Sequence, residues 1–462
     1  MNCSSALRLT LLLALMTTLT ACQSLRPFPA TLKAVEQASP SPVALDIRDW
    51  RTSRGTRVLF VQSPSLPMLD VRLTFAAGSA RDGALPGLAS LTSTLIDEGA
   101  DGLTVDDIAR GFEDLGASMS TDSHRDMGLI ELRTLTMPEY LDPALNLFLR
   151  VIAAPDFPGD ALERVRQQYL VGLARQKQVP GPQLNDRVNE VVFGEHPYAH
   201  PPSGTEQSLV QISRDDLKAF YQRHYNAANG VIAMVGDLDE AAARALAERI
   251  SAALPPGEAV PALPPVARAG WSTEEHLDFD ASQTHITIAQ QSIRRGHPDW
   301  VALYVGNEIL GGGGFASILM EQVRQQRGFV YGISSSFSPM AAAGPFRISL
   351  QTSTDNAAEA RELTLQLLRD FIEQGPTESQ LRNAIDSITG SMAQGVAEND
   401  DIVGHLASLA FYNQPLDYLQ QFDAEVRTMT VEKVRDAFQR NLDPDALAII
   451  SIGRQPPVAP AP

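Results

Sequence analysis

The chain has 462 residues, 44% of them hydrophobic and 20% charged, which is enough for a globular protein with two domains of ordinary size. Its formal net charge is −18 and no cluster of lysine and arginine occurs, which argues against nucleic acid as a partner. The composition favours a well-solvated acidic surface.

Residues 1–21 have the pattern of an export signal. Arg8 precedes an apolar run at 9–16 that is too short to span a membrane. The sequence Leu19-Thr20-Ala21-Cys22 resembles the cleavage motif of bacterial lipoproteins, in which Cys22 would be acylated and begin the mature chain. An ordinary signal peptide is the alternative. Gln23 follows instead of aspartate, which by the sorting rule for such lipoproteins indicates the outer membrane of a Gram-negative cell.

The cysteine content agrees with this interpretation. Cleavage would remove Cys3 and a lipid would occupy Cys22, so we expect neither a disulfide nor a cysteine-bound metal. The prolines within residues 22–44 predict a tether. The folded part would therefore be held at the membrane by its lipid.

Residues 45–254 predict a first domain of mixed helices and strands. Hydrophobic periodicity predicts strands at 57–61, 69–75 and 230–237, a hairpin at 117–121 and 128–135, and helices at 86–98, 105–115, 143–153, 160–178, 215–225 and 239–254. Thr104 followed by Asp107 is typical of a helix N-cap, and Gly116 of a helix end.

A proline-rich stretch at 255–269 predicts a linker to a second domain at 270–455. This domain has predicted strands at 285–289, 330–337, 345–353 and 446–453, and helices at 299–310, 356–373, 378–398, 401–411 and 431–440, with a further helix ending at Arg327. Both domains end with a helix, an asparagine-containing turn, an apolar strand and a glycine. We therefore expect an internal duplication of one α+β domain.

Several short motifs occur in a characteristic order. They are Gly194-Glu195-His196-Pro197-Tyr198 with Gly204-Thr205, then Phe220-Tyr221, His224-Tyr225-Asn226 and Val235-Gly236-Asp237, and finally Phe315-Ala316-Ser317-Ile318-Leu319 with Arg324, Gly328 and Tyr331. Together they resemble the pitrilysin/insulinase-type zinc metallopeptidases, in particular the bacterial branch with two different subunits. The resemblance implies an α+β fold of two homologous domains, each a mixed sheet packed by helices, forming half of a clamshell.

The zinc-binding motif of this family is absent from the chain. Where the family has Gly-x-Ala-His-x-x-Glu-His on a helix, Ser90 and Thr94 stand at the histidine positions and Ser93 at the glutamate position. A hydroxyl is a poor zinc ligand, and Ser93 cannot act as a general base at neutral pH. The family's third ligand, a glutamate, would fall near Gly172, where residues 167–174 contain no carboxylate and Glu163 is more than two turns away. We therefore expect no metal in this chain.

Two other features have alternative interpretations. His196 and His200 are spaced to share a helix face, but the prolines at 197, 201 and 202 predict a loop rather than a metal site. The other histidines are isolated in the sequence. The glycines at 311–314 indicate either a substrate-contacting loop, as in related processing peptidases, or a plain flexible turn.

The second domain retains a pair that the family uses to bind substrate. Arg324 and Tyr331 match the Arg/Tyr pair that, by the resemblance, holds the substrate backbone near the zinc of another subunit. Both side chains can donate hydrogen bonds to a carbonyl and to the oxyanion that develops from it.

The sequence therefore predicts a non-catalytic, substrate-binding subunit of a heterodimeric zinc metallopeptidase. The chain would be inactive alone, pair with a zinc-bearing homologue, bind peptides or unfolded polypeptides, and face the periplasm from the outer membrane. One alternative is a scaffolding protein of the envelope with no role in proteolysis. Another is an autonomous zinc peptidase, which the missing ligands disfavour.

Overall fold

The computed structural model describes residues 44–454 except 268, 269 and 271. The expected signal segment, the lipid-bearing Cys22 and the tether up to residue 43 lie outside the described residues. Within the described part, no helix combines the length and the apolar character needed to cross a bilayer.

The first half of the chain contains a six-stranded sheet, a short two-stranded sheet and eight α-helices among the described residues. In chain order its elements are β1 (Arg48–Arg51), β2 (Arg57–Gln62), β3 (Met68–Phe75), α1 (Leu88–Thr94), β4 (Gly99–Ala100), β5 (Leu103–Thr104), α2 (Val105–Glu113), β6 (Ser118–Ser123), β7 (Gly128–Leu135), α3 (Pro138–Ala153), α4 (Gly159–Gln176), α5 (Pro180–Phe193), α6 (Glu206–Gln211), α7 (Arg214–His224), β8 (Gly230–Gly236) and α8 (Glu240–Ala253). As expected, Thr104 and Asp107 form a capping box at α2, and Gly116 follows the helix with φ 61°.

The second half has a similar content. Its elements are β9 (Thr273–Asp278), β10 (Gln283–Gln291), α9 (Trp300–Asn307), β11 (Val330–Phe337), β12 (Pro345–Ser353), α10 (Ala357–Gln374), α11 (Glu378–Ser391), α12 (Asn399–Phe411), α13 (Tyr418–Arg427), α14 (Val431–Asn441) and β13 (Ala448–Gly453). Residues 255–267, in the predicted linker, form neither helix nor strand.

Apart from β1, the two large sheets have the same topology, which is the expected duplication. The first has the order β1-β2-β8-β3-β7-β6 and the second β11-β12-β10-β13-β9. In each, one pair is parallel, β2 with β8 and β9 with β13, and the other neighbours are antiparallel. Written from its other end, the second order is β9-β13-β10-β12-β11, which corresponds strand by strand to β2-β8-β3-β7-β6 of the first. Strands β6 and β11 are therefore equivalent terminal strands. The predicted α+β fold of two similar domains is confirmed.

Each half supplies one helix to the outer face of the other half's sheet. Helix α12 packs on β8, β3 and β2, whereas α5 packs on β10 and β13. The mixed clusters that result include Leu406 of α12 with Leu59 of β2, and Val188 of α5 with Ile450 of β13. The halves therefore share apolar core, beyond the separate core that each sheet forms with its own helices.

The structure differs from the sequence predictions at three places that matter for function. Helix α1 is shorter than the predicted 86–98, because Gly87 has φ 93° and the chain turns after Thr94 toward β4. Helix α5 was not predicted; Pro180 occupies its first position, where a missing N–H costs nothing. The predicted glycine loop is partly helical, since a π turn covers Glu308–Gly312.

Candidate functional site

Helix α1, which carries the degenerate zinc motif, is anchored at its start by a buried carboxylate. Asp82 accepts the backbone N–H groups of Gly87 and Ala89, both at 2.7 Å. Burial raises the pKa of Asp82 to about 7, although these two hydrogen bonds oppose the shift. The frame that would present metal ligands in the family is therefore intact.

The hydroxyls at the ligand positions of α1 are engaged in packing contacts. Ser90 Oγ donates to the carbonyl of Pro202 at 2.8 Å. Thr94 Oγ1 donates to the Ser90 carbonyl at 3.0 Å and lies 2.9 Å from the Tyr169 hydroxyl. Ser93, at the position of the general base, is buried beside the hydroxyl of Tyr225. These side chains attach α1 to its neighbours.

Helix α4 faces α1, as the resemblance implies for the third ligand, but the residue in contact is Tyr169. Sequence spacing placed the third position near Gly172. A side chain built on Gly172 would have no atom within 4 Å of its Cβ, whereas Tyr169, one turn earlier, reaches Thr94. Burial raises the pKa of the Tyr169 phenol, so it remains neutral near pH 7. The sequence contains no signal that singles out Tyr169, which only the packing of α4 on α1 identifies.

This arrangement does not fit zinc. The side chains that meet here, Ser90, Thr94 and Tyr169, offer neutral hydroxyls, which are poor zinc ligands. No group of three or more His, Cys, Asp or Glu side chains within the described residues is arranged to hold a metal ion.

The loop with His196 and His200 has a structural role at the junction of the two halves. His196 Nε2 lies 2.9 Å from the Pro264 carbonyl, and its Nδ1 accepts the Tyr198 N–H at 3.1 Å. These contacts assign the proton to Nε2, and burial lowers the pKa of His196. The segment is not helical, as the prolines predicted.

Tyr198 of the same loop joins the halves through a buried carboxylate. Its hydroxyl donates to Asp126 and accepts the backbone N–H of Ala342 at 3.1 Å. Asp126 also accepts the N–H of Ala341 at 2.7 Å and the hydroxyl of Tyr412 at 3.0 Å. The His-Pro-Tyr motif thus connects β6–β7 of the first half to two segments of the second.

Arg324 and Tyr331 lie on adjacent elements of the second half. Arg324 belongs to a π turn, Met320–Gln325, that packs against β11, and its guanidinium carbon is 4.9 Å from the ring centre of Phe315. Tyr331 is the extra residue of a β-bulge between Val330 and Gly332. Phe315 and Tyr331 are 65% and 68% exposed, which is unusual for aromatic side chains.

The bulge explains how a strand residue comes to face solvent. A bulge rotates the side chain of its extra residue out of the alternation, and bulges of this kind occur beside functional sites. The π turn before it is also a geometry that is frequent at functional sites. Helix α1 packs in the core of the first half, and the π-helical turn with Arg324 packs in the core of the second half. The degenerate zinc motif and the Arg/Tyr pair therefore belong to different halves.

Comparisons with known proteins agree with this geometry. Residues 211–388 match the family described as the peptidase M16 inactive domain. A Helicobacter pylori protein named non-peptidase homolog YmxG is 27% identical over 405 residues, which cover 85% of this chain and 91% of that protein. A Mycobacterium bovis protein named as an uncharacterized zinc protease is 25% identical over 411 residues, covering 87% of this chain and 93% of that one.

A solved structure extends the likeness to the whole fold. The crystal structure of a peptidase M16 inactive domain from Pseudomonas fluorescens is 42% identical, covers 90% of this chain and all of its own, and superposes with a TM-score of 0.87. With hydroxyl side chains at the positions of the metal ligands, the chain is a non-catalytic member of the peptidase M16 family.

Proposed function

We propose that this chain is the peptide-binding subunit of a two-chain zinc metallopeptidase of the cell envelope. The observation that carries the proposal is Tyr331, which a bulge turns toward solvent on a terminal strand that packs against the turn containing Arg324. A zinc-bearing homologue would supply the metal ligands and the general base that this chain lacks.

The exposed Tyr331 and the partly buried Arg324 define what this chain contributes. An extended peptide would add as a strand to a sheet edge, where its backbone makes the ladder hydrogen bonds. Arg324 and Tyr331 would donate to a backbone carbonyl close to the bond cleaved by the partner. Donors placed where negative charge develops accelerate a reaction by roughly 10²–10³-fold each.

Reconstitution with the zinc-bearing homologue tests this function. The pair should co-purify and cleave an unfolded polypeptide, and each single chain should be inactive. Arg324→Ala and Tyr331→Phe should each lower kcat/KM of the pair by roughly 10²-fold without affecting pairing. The matched controls, Arg369→Ala on the exposed face of α10 and Tyr304→Phe in α9, should leave kcat/KM unchanged.

The competing functions give different results in the same experiment. A scaffolding protein would assemble with unrelated envelope proteins, and neither substitution would alter proteolysis. An autonomous peptidase would contain stoichiometric zinc and be active alone. Either result would overturn the proposal.

The location in the cell is part of the proposal. Acylation of Cys22 would anchor the chain to the outer membrane, facing the periplasm, with the adjacent segment as a tether. Cys22→Ser should abolish incorporation of radiolabelled palmitate and move the chain from the membrane to the soluble fraction. Retention of both label and membrane association would exclude this anchor.

A further inference from the structure

A cavity of about 540 Å³ lies between helix α5 of the first half and the sheet of the second. Its floor consists of facing side chains from three strands: Thr287 of β10 pairs with Ser349 of β12, which pairs with Ser334 of β11. Gly311 and Gly312 close one side. The cavity is of the size that holds a small ligand or the end of a chain.

The charge of this cavity is opposite to that of the molecule. The chain has 55 acidic and 37 basic residues, yet among the described residues that line the cavity there is no Asp or Glu. Arg347 is the one lining residue with a permanent charge. Burial lowers the pKa of the other titratable lining group, His285, and so favours its neutral form.

In the described contacts, the hydrogen-bond partners of Arg347 are all neutral. Its Nη1 donates to Asn185 at 2.7 Å and its Nη2 to Asn189, both on α5, while its buried Nε has no acceptor. Burial and the nearby Arg125 lower the pKa of Arg347 to about 10. A buried charge without a counter-charge is costly, so an anion that reached this guanidinium would be strongly favoured.

Two further features favour a carboxylate. The N-terminal end of α5, with the positive end of its helix dipole, reaches the cavity at Gly181, and its first turn has no acidic residue. Pro180 and Pro182 of that turn have no N–H, so the attraction to an anion comes from the dipole and from Arg347. A single guanidinium surrounded by hydroxyls and amides suits a planar carboxylate, which it can bind through two parallel hydrogen bonds.

The position of the cavity indicates where that carboxylate comes from. Gly332 of β11 lines it, and the preceding residue is the exposed Tyr331. A peptide held beside Tyr331 would therefore have its end within reach of the cavity. We propose that this cavity binds the C-terminal carboxylate of the peptide through Arg347, an inference that rests on the proposed peptide-binding function.

Calorimetric titration of the isolated full chain tests this site without any requirement for proteolysis. The probes are the N-acetylated peptide Ala-Ser-Ala-Ser-Ala with a free C-terminus, the same peptide as its C-terminal amide, and an amidated version with glutamate at its centre. The free acid should bind at least roughly tenfold more tightly than either amide. Arg347→Gln should abolish that difference, and Arg369→Gln, an exposed control on α10, should preserve it.

A second variant tests the same site in case Arg347→Gln does not fold. Ser349 is exposed two residues from Arg347 on the same strand, so Ser349→Asp would place a counter-charge beside the guanidinium. It should keep or raise the melting temperature while removing the preference for the free acid. Asn383→Asp, an exposed change of equal charge on α11, should do neither.

The other outcomes overturn the proposal in distinguishable ways. Equal affinity for acid and amide would exclude the carboxylate site and leave the peptide-binding function intact. Tight binding of the glutamate-containing amide would assign the cavity to acidic side chains instead of the C-terminus. Failure of all three peptides to bind would exclude the site, while the pairing experiment would still decide the proposed function.

Discussion

At the scale of single residues, a contact between Thr94 and Tyr169 occupies the place where the family binds zinc. The two hydroxyls are 2.9 Å apart. Thr94 stands where the family has a histidine, and Tyr169 lies one turn before Gly172, near which the resemblance placed the glutamate. The helices thus remain close enough for a metal to be restored.

Restoring the ligands should restore metal binding. The triple change Ser90→His, Thr94→His and Tyr169→Glu should produce a chain that binds one zinc ion, because two histidines one turn apart and a facing carboxylate form a familiar ligand set. A matched variant with Gly172→Glu in place of Tyr169→Glu should bind zinc at least roughly tenfold more weakly. Zinc content after dialysis and calorimetric titration would measure both, and equal affinities would contradict the assignment of Tyr169.

The titration of His405 provides a second test at this scale. Burial lowers its pKa to about 4, below the value of about 6.5 expected for the unfolded chain. As pH falls from 6.5 to 4, the unfolded state therefore binds the proton first, and stability is lost. His405→Phe, which keeps the ring contact with Tyr418, should reduce the loss of unfolding free energy between pH 7 and pH 4.5 by roughly 1–3 kcal/mol.

Urea unfolding at the two pH values would measure this difference. Burial also lowers the pKa of His224 to about 4, so the variant should keep part of its acid sensitivity through His224. Val171→Ala, at a half-exposed site on α4, removes no titratable group and provides the control, so it should leave the difference between the two pH values unchanged. An unaltered pH dependence in His405→Phe would refute the argument.

Sequence reasoning identified Ser90, Ser93 and Thr94 because they occupy a fixed pattern on one short helix. It did not find Tyr169, since a count along the chain to a second helix tolerates errors of a few residues and only the packing of α4 on α1 selects one of them. Arg347 was also missed. Nothing in the sequence around it shows that its strand faces a helix from the other half.

At the scale of elements, strands and amphipathic helices were the most predictable parts. The observed β11 (Val330–Phe337) and β12 (Pro345–Ser353) coincide with the predicted 330–337 and 345–353, because apolar and polar residues separate by face along them. The bulge at Tyr331 leaves no such trace, since it is defined by pairing with β12. Helix α5 begins with two prolines, which suggest a break in the sequence, but in the structure both lie in the first turn of the helix.

The exchange of helices between the halves makes α12 a strong test of element packing. Leu406 has no exposed surface and lies in a cluster with Leu59 and Val235 of the first sheet. Leu406→Ala should lower the unfolding free energy by about 2–5 kcal/mol, because the cavity lies between two elements that cannot easily collapse. Val171→Ala, at a half-exposed site on α4, should cost under about 1 kcal/mol in the same urea titration. Comparable losses for the two variants would argue against shared core.

At the scale of the whole molecule, duplication and exchange together make the halves interdependent. Each sheet has its own helices on one face and a helix of the other half on the opposite face. Separating the two halves would expose the covered apolar face of each sheet to water, at a large cost in hydrophobic free energy. We therefore expect the chain to unfold as one cooperative unit, although its two halves have the same topology.

Asp126 is the residue where this cooperativity can be tested, because it is 5% exposed and accepts hydrogen bonds from both halves. Asp126→Ala would leave the hydroxyls of Tyr198 and Tyr412 and the N–H of Ala341 without their acceptor, at a cost of roughly 1–3 kcal/mol for each buried group that water cannot reach. Calorimetry should show one transition for the natural chain and a lower, broader or divided transition for the variant. Asp278→Ala, which removes an exposed carboxylate of β9, should leave the single transition in place. If Asp126→Ala also unfolded in one transition at an unchanged temperature, the hydrogen bonds of Asp126 would not couple the halves. The coupling would then depend on the shared apolar clusters around α5 and α12 alone.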